Sequence, residues 1–70
     1  MTYNMIATGY FTQLVKEYNL KYLGKSKGGL GWEGIYKDKN GQLYAINYSD
    51  YIGGTLDILF IIDNMPELES

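Results

Sequence analysis

Seventy residues carry six lysines, no arginine and eight acids, for a net charge of −2; that gives no electrostatic footprint for a nucleic-acid duplex and lacks the guanidinium fork that reads guanine and phosphate. Cysteine and histidine are both absent, which excludes disulfides, thiolate metal sites and the commonest general base. A chain this short needs a well-packed core or self-association, and with 46% of its residues hydrophobic the expectation is a homo-oligomer.

The N-terminus shows no basic stretch followed by an apolar run and a cleavage site. The longest apolar run, Ile58 to Ile62 in "ILFII", is far too short to span a bilayer. A cytosolic protein without a membrane partner is therefore expected. Abundant Lys, Asn, Ile and Tyr without Arg or His fits an AT-rich coding genome, such as a low-GC bacterium or its phage.

Residues 2–7 read as a short strand or an extended arm. Phe11, Leu14, Val15 and Tyr18 then recur at i, i+3, i+4 and i+7, one face of a helix. Thr8 is the expected N-cap, with Gly9 and Tyr10 in the first turn and Asn19 or Gly24 at the end. Leu20 to Lys25 is a strand or a helical continuation. Four glycines, Gly24, Gly28, Gly29 and Gly31, make residues 24–31 a mobile loop by composition.

"WEGIYKDKNGQLYAINY" reads as a β-hairpin. Asp38 suits the first position of a turn, and Asn40 and Gly41 tolerate positive φ. If Asn40-Gly41 form a two-residue loop, Lys39 pairs with Gln42 and Ile35 with Ile46. If Asp38 opens the turn and Gly41 is a bulge, Tyr36 pairs with Tyr44 and Trp32 with Tyr48; the aspartate favours this second register. It puts Trp32, Tyr36, Tyr44, Ile46 and Tyr48 on one face and Glu33, Ile35, Lys37, Leu43, Ala45 and Asn47 on the other. After a break at Gly53-Gly54, residues 55–62 form an apolar run suited to a strand buried on both faces or by an oligomer partner, with a helix started at the glycines as the lesser alternative. The tail turns at Pro66 and is expected to fray. The fold class is α+β: one N-terminal helix packed on a small antiparallel sheet of three to four strands, the hairpin 32–48 plus strand 55–62.

Three groups of residues could carry chemistry. Gly29-Leu30-Gly31-Trp32-Glu33-Gly34 matches the spacing G-x-G-x-x-G, but it leads into a strand, whereas a dinucleotide site requires a helix there. The kinase version joins two strands, yet the other kinase motifs are missing. The glycines are thus read as backbone freedom, and the amides of Gly28, Gly29 and Gly31 as an anion nest beside Lys25 and Lys27. The second group is aromatic: eight tyrosines, two phenylalanines and one tryptophan. Trp32, Tyr36, Tyr44 and Tyr48 would form a stacking platform, or else core against the Phe11 helix. The third is acidic: Asp50, Asp57 and Asp63 have no spacing that fits a metal loop. Ser26, Ser49 and Ser70 have no histidine to activate them, and a Ser26–Lys pair in a glycine loop lacks preorganisation. An enzyme and a cofactor are not expected.

In size, composition and lack of catalytic residues the chain resembles small phage or mobile-element proteins that counter bacterial defence. That likeness implies a non-catalytic inhibitor that either sequesters a nucleotide-like small molecule or occludes a host protein. In the first case Trp32, Tyr36, Tyr44 and Tyr48 would stack the base while Lys25, Lys27 and the glycine amides meet phosphate. In the second, the aromatic hairpin face would dock on the host protein.

Overall fold

The computed structural model describes residues 3–27, 32–49 and 56–69, with residues 32, 33, 48 and 49 described by backbone only. The elements are β1 (Tyr3–Gly9), α1 (Phe11–Glu17), β2 (Lys21–Gly24), β3 (Trp32–Lys37), β4 (Leu43–Ser49) and β5 (Leu56–Ile62). The sheet is antiparallel with five strands in the order β1-β5-β4-β3-β2, where three to four were expected. The class is α+β, and the structure is predominantly sheet. The two extra strands are the edges. Neither has a strong local signature, and each exists because a neighbour accepts its backbone bonds.

Strands β2 to β5 form a meander, while β1 pairs with β5 at the opposite edge from β2. The chain between β1 and β2 must therefore cross the sheet, and α1 makes that crossing over one face. The helix starts later than expected. Thr8 and Gly9 remain in β1, paired with Ile58 and Asp57, so Tyr10 is the N-cap and offers no side-chain bond. At the other end Asn19 stands at φ 53. The Leu20 N–H donates to Val15 O at 3.0 Å and the Asn19 N–H to Lys16 O at 3.4 Å. This pair of bonds is a Schellman closure, which ends the helix at the predicted asparagine.

Leu14 of the helix packs with Leu20, Tyr36, Tyr44, Ile46 and Leu59 in one core, with Ala7, Val15, Tyr18 and Ile61 around them. The helical stripe read from the sequence thus holds at Leu14, Val15 and Tyr18, while Phe11 sits at the rim, 43% exposed. The opposite face of the sheet buries Ile35, Ala45 and Ile62 with help from Leu23, Leu43, Phe60 and Leu68. Leu59 and Ile61 face the helix and Phe60 and Ile62 face away, so the apolar run is a strand with both faces packed, as expected.

Leu68 comes from the tail, which is held in place instead of fraying. The Lys27 N–H donates to Glu67 O at 2.7 Å and the Glu69 N–H to Lys25 O at 2.8 Å, with a bridge between Ser26 and Leu68. The bend falls at Asp63 and Asn64, ahead of Pro66. Burying Leu68 on the second face and satisfying these backbone groups offsets the cost of ordering the tail.

The hairpin follows the Asp38 register near its turn, with Tyr36 opposite Tyr44 and Lys37 opposite Leu43. The Gly41 N–H donates to Asp38 O at 3.1 Å, and Gly41 takes φ 87, which an L side chain resists. Asp38 Oδ1 accepts the N–H groups of Asn40 at 2.9 Å and Gln42 at 3.0 Å. Its Oδ2 accepts the Tyr44 hydroxyl at 2.8 Å. Farther from the turn the register slips between Trp32 and Gly34, and Trp32 pairs with Asn47 instead of Tyr48. A bulge adds one residue to one strand, so the pairing read from the turn does not continue past Gly34.

The Asp38–Tyr44 bond has a pH signature. The Tyr44 hydroxyl is the main cause that holds the Asp38 pKa below the usual carboxylate value; desolvation opposes it, and the backbone donors of Gln42, Asn40 and Gly41 reinforce it. Burial first, then the bond to Asp38 and its charge, push Tyr44 up to about 12. A depressed carboxylate stabilises the fold above its unfolded pKa of about 3.9 and loses that contribution as pH falls through the folded value. A raised phenol contributes fully below about 10 and loses that contribution as pH rises toward about 12. Urea midpoints measured across pH should therefore fall at both ends. Tyr44→Phe should flatten both limbs relative to wild type, and identical pH profiles would show that the pair does not contribute.

Candidate ligand-binding surface

Two of the predicted site residues are core. Tyr36 is 3% and Tyr44 7% exposed, because the crossing of α1 covers that face of the hairpin. A continuous open platform is therefore not formed at these positions, and their rings pack as they would in any aromatic core. Tyr44 lies against Tyr18 with ring centres 6.2 Å apart. The side chains of Trp32 and Tyr48, and Gly28, Gly29, Gly31, Asp50 and Ser70, lie outside the described residues.

Lys25 and Lys27 are fixed through their backbones by the tail. Lys27 Nζ also sits 3.4 Å from Glu67 Oε1 in an exposed pair, an arrangement worth little in stability. Ser26 between them is buried, so the pairing of Ser26 with a flanking lysine gains no open nucleophile.

A different aromatic surface, with no local signature in the sequence, is present instead. Tyr22 on β2 is directly opposite Tyr36, with ring centres 5.4 Å apart. Phe11, at the start of α1, meets the same Tyr36 ring at 6.1 Å and 61°. Phe11 is 43% and Tyr22 56% exposed, and Tyr10 beside Phe11 is 60% exposed. A buried ring thus carries two partly exposed rings on its flanks, which limits their motion while leaving aromatic area toward solvent.

Gly34 makes room for this arrangement. A Cβ built on it would stand 2.9 Å from Tyr22 Cε1, 3.0 Å from Tyr36 Cε1 and 3.1 Å from Tyr36 Oη. The last glycine of the G-x-G-x-x-G match therefore serves close approach of two tyrosine rings. A cross-strand aromatic covering a strand glycine is a known means of restoring packing there. The only sequence signal for it was a glycine placed among β-formers next to a tyrosine-rich neighbour.

Among the described residues no three His, Cys, Asp or Glu side chains come together to hold a metal ion. No helix among them is long and apolar enough to cross a membrane. No family model, curated protein or solved structure matches the chain.

Proposed function

We propose that this protein is a small non-catalytic binding protein that captures a flat, nucleotide-like small molecule, with Phe11 and Tyr22 as the stacking surface. The observation that carries this reading is the pair of half-exposed rings held against the buried Tyr36. Base–aromatic stacking tolerates any base, because every base has a π-face. Lys25, Lys27, the amides of Gly28, Gly29 and Gly31, and the Trp32 ring belong to the same proposal as its phosphate and base contacts. The biological role we attach to it is sequestration, of the kind used by phage or mobile-element proteins against host defence.

A thermal-shift screen against a nucleotide panel tests this. A ligand present at a hundredfold excess over its Kd adds about 2.7 kcal/mol, roughly 10–20 °C in a domain of this size. Tyr22→Ala should abolish that shift and lower the unliganded melting temperature only by the worth of its ring contact with Tyr36, about 0.5–1.5 kcal/mol. Absence of any shift across the panel would contradict the reading.

A second reading is favoured by a separate observation. β1 is an edge strand without a charged residue, and it exposes Tyr3 (50%), Met5 (61%) and Ile6 (39%). Such an edge invites another chain, either a second copy of this protein or a host protein to be occluded. With Tyr36 and Tyr44 buried, this edge replaces the hairpin face as the docking surface in that reading. Capture of a host protein that Met5→Lys releases, together with a silent nucleotide screen, would decide for it.

A further inference from the structure

Half of the chain's six lysines gather at one end of the sheet. Lys21 and Lys37 are direct cross-strand partners on β2 and β3, and Lys39 comes two residues later in the turn. Together with Asn19 and Asp38 they line a shallow depression of about 240 Å³. Like charges placed opposite each other in an antiparallel pair destabilise it, so this arrangement calls for a counter-charge.

Among the residues that line the depression, Asp38 is the one acid. The Asp38 carboxylate is occupied by the Asn40 and Gln42 N–H groups and the Tyr44 hydroxyl. Among the described residues none of the three lysines makes an ion pair, in contrast to Lys27 with Glu67. In a chain with a net charge of −2, this sets three lysines against the single carboxylate of Asp38 around one depression. All three lysines are exposed, so their attraction for an anion is screened by salt and is strongest at low ionic strength.

We infer that Lys21, Lys37 and Lys39 form a binding site for the phosphate group of a small phosphorylated molecule. Lysines meet phosphate as mobile point charges, without the directional fork of arginine, so several of them converging on one depression suit a multiply charged phosphate group. A volume of about 240 Å³ falls below the roughly 300–1,000 Å³ of pockets that enclose a whole ligand. The site therefore takes the phosphate head and leaves the remainder outside. Lys21 and Tyr22 are consecutive on a strand and point to opposite faces, so this site is distinct from the Phe11–Tyr22 surface and stands or falls without it.

The test is an amide-resolved NMR titration of the full chain with pyrophosphate and, separately, inorganic phosphate at low ionic strength. Saturable shifts are expected at Asn19, Lys21, Lys37, Asp38 and Lys39. Lys37→Gln should weaken binding about tenfold or more, the effect of losing one charge-assisted contact, and should raise the melting temperature of the unliganded protein by relieving repulsion. Lys16→Gln, on α1 and outside the depression, should change neither. Tyr22→Ala should leave pyrophosphate binding intact, which separates this site from the stacking surface. Lys39→Gln gives the same readout should Lys37→Gln not fold. Absent shifts, non-saturating shifts shared equally with Lys16 and Lys25, or full affinity in Lys37→Gln would each overturn the assignment.

Discussion

Leu59→Ala is expected to remove about 2–5 kcal/mol of folding free energy, the cost of a buried leucine together with the cavity it leaves. Leu59 is fully buried on β5, opposite Ile46 on one side and Ala7 on the other, beneath α1. It therefore joins both edges of the helix-side core. A domain of 70 residues has roughly 4–10 kcal/mol in total at the usual 0.05–0.15 per residue. One methyl-rich side chain thus carries a large fraction of the whole. Urea denaturation followed by circular dichroism measures it, and a loss under about 1 kcal/mol would mean that Leu59 is not packed in the core beneath α1.

Gly34→Ala carries the second large effect, and its sign is informative. On backbone grounds alone alanine should be the better residue, because glycine in a strand loses more conformational freedom on folding. Gly34 does not have a positive φ, so no left-handed conformation opposes the change. Packing opposes it. The new methyl would press on Tyr22 at 2.9 Å and on Tyr36 at 3.0 and 3.1 Å. Tyr22 can swing toward solvent, but Tyr36 is buried and has nowhere to go. A net loss of about 1–3 kcal/mol is expected, the usual range for overpacking, together with displacement of the Tyr22 ring. Adding Tyr22→Ala to Gly34→Ala should recover only part of the loss, because the Tyr36 contacts persist. Gly34→Ala as stable as wild type would show that the rings are not seated over the glycine.

Much of the framework was legible because its signals are local. Asp38 through Gly41 specify the turn by hydrogen bonding and φ, so the pairing of Tyr36 with Tyr44 could be read directly. The helical stripe and the unbroken apolar run at Ile58–Ile62 announced themselves by period and by burial on two faces. The features that were not legible depend on distant partners. For residues 2–7 the sequence left a short strand and an extended arm open, and pairing with β5, some fifty residues later, decides for the strand. The tail is ordered because Leu68 finds the second face of the sheet. For Tyr36 and Tyr44 the sequence left two readings open, a stacking platform and core against the Phe11 helix, and the crossing of α1 decides for core. The slip at Trp32 came from a bulge beside Gly34, a residue the sequence marked only as flexible. The lysine site depends on strand pairing as well, since Lys21 and Lys37 are neighbours only when β2 exists.

The proposed binding role is tested most directly by an aromatic-resolved NMR titration of the full chain with single nucleotides. Saturable shifts of the Tyr22 and Phe11 ring signals, with Tyr44 unmoved beneath α1, are the expected result. Titrations to millimolar nucleotide that leave the Tyr22 and Phe11 rings unshifted would contradict it.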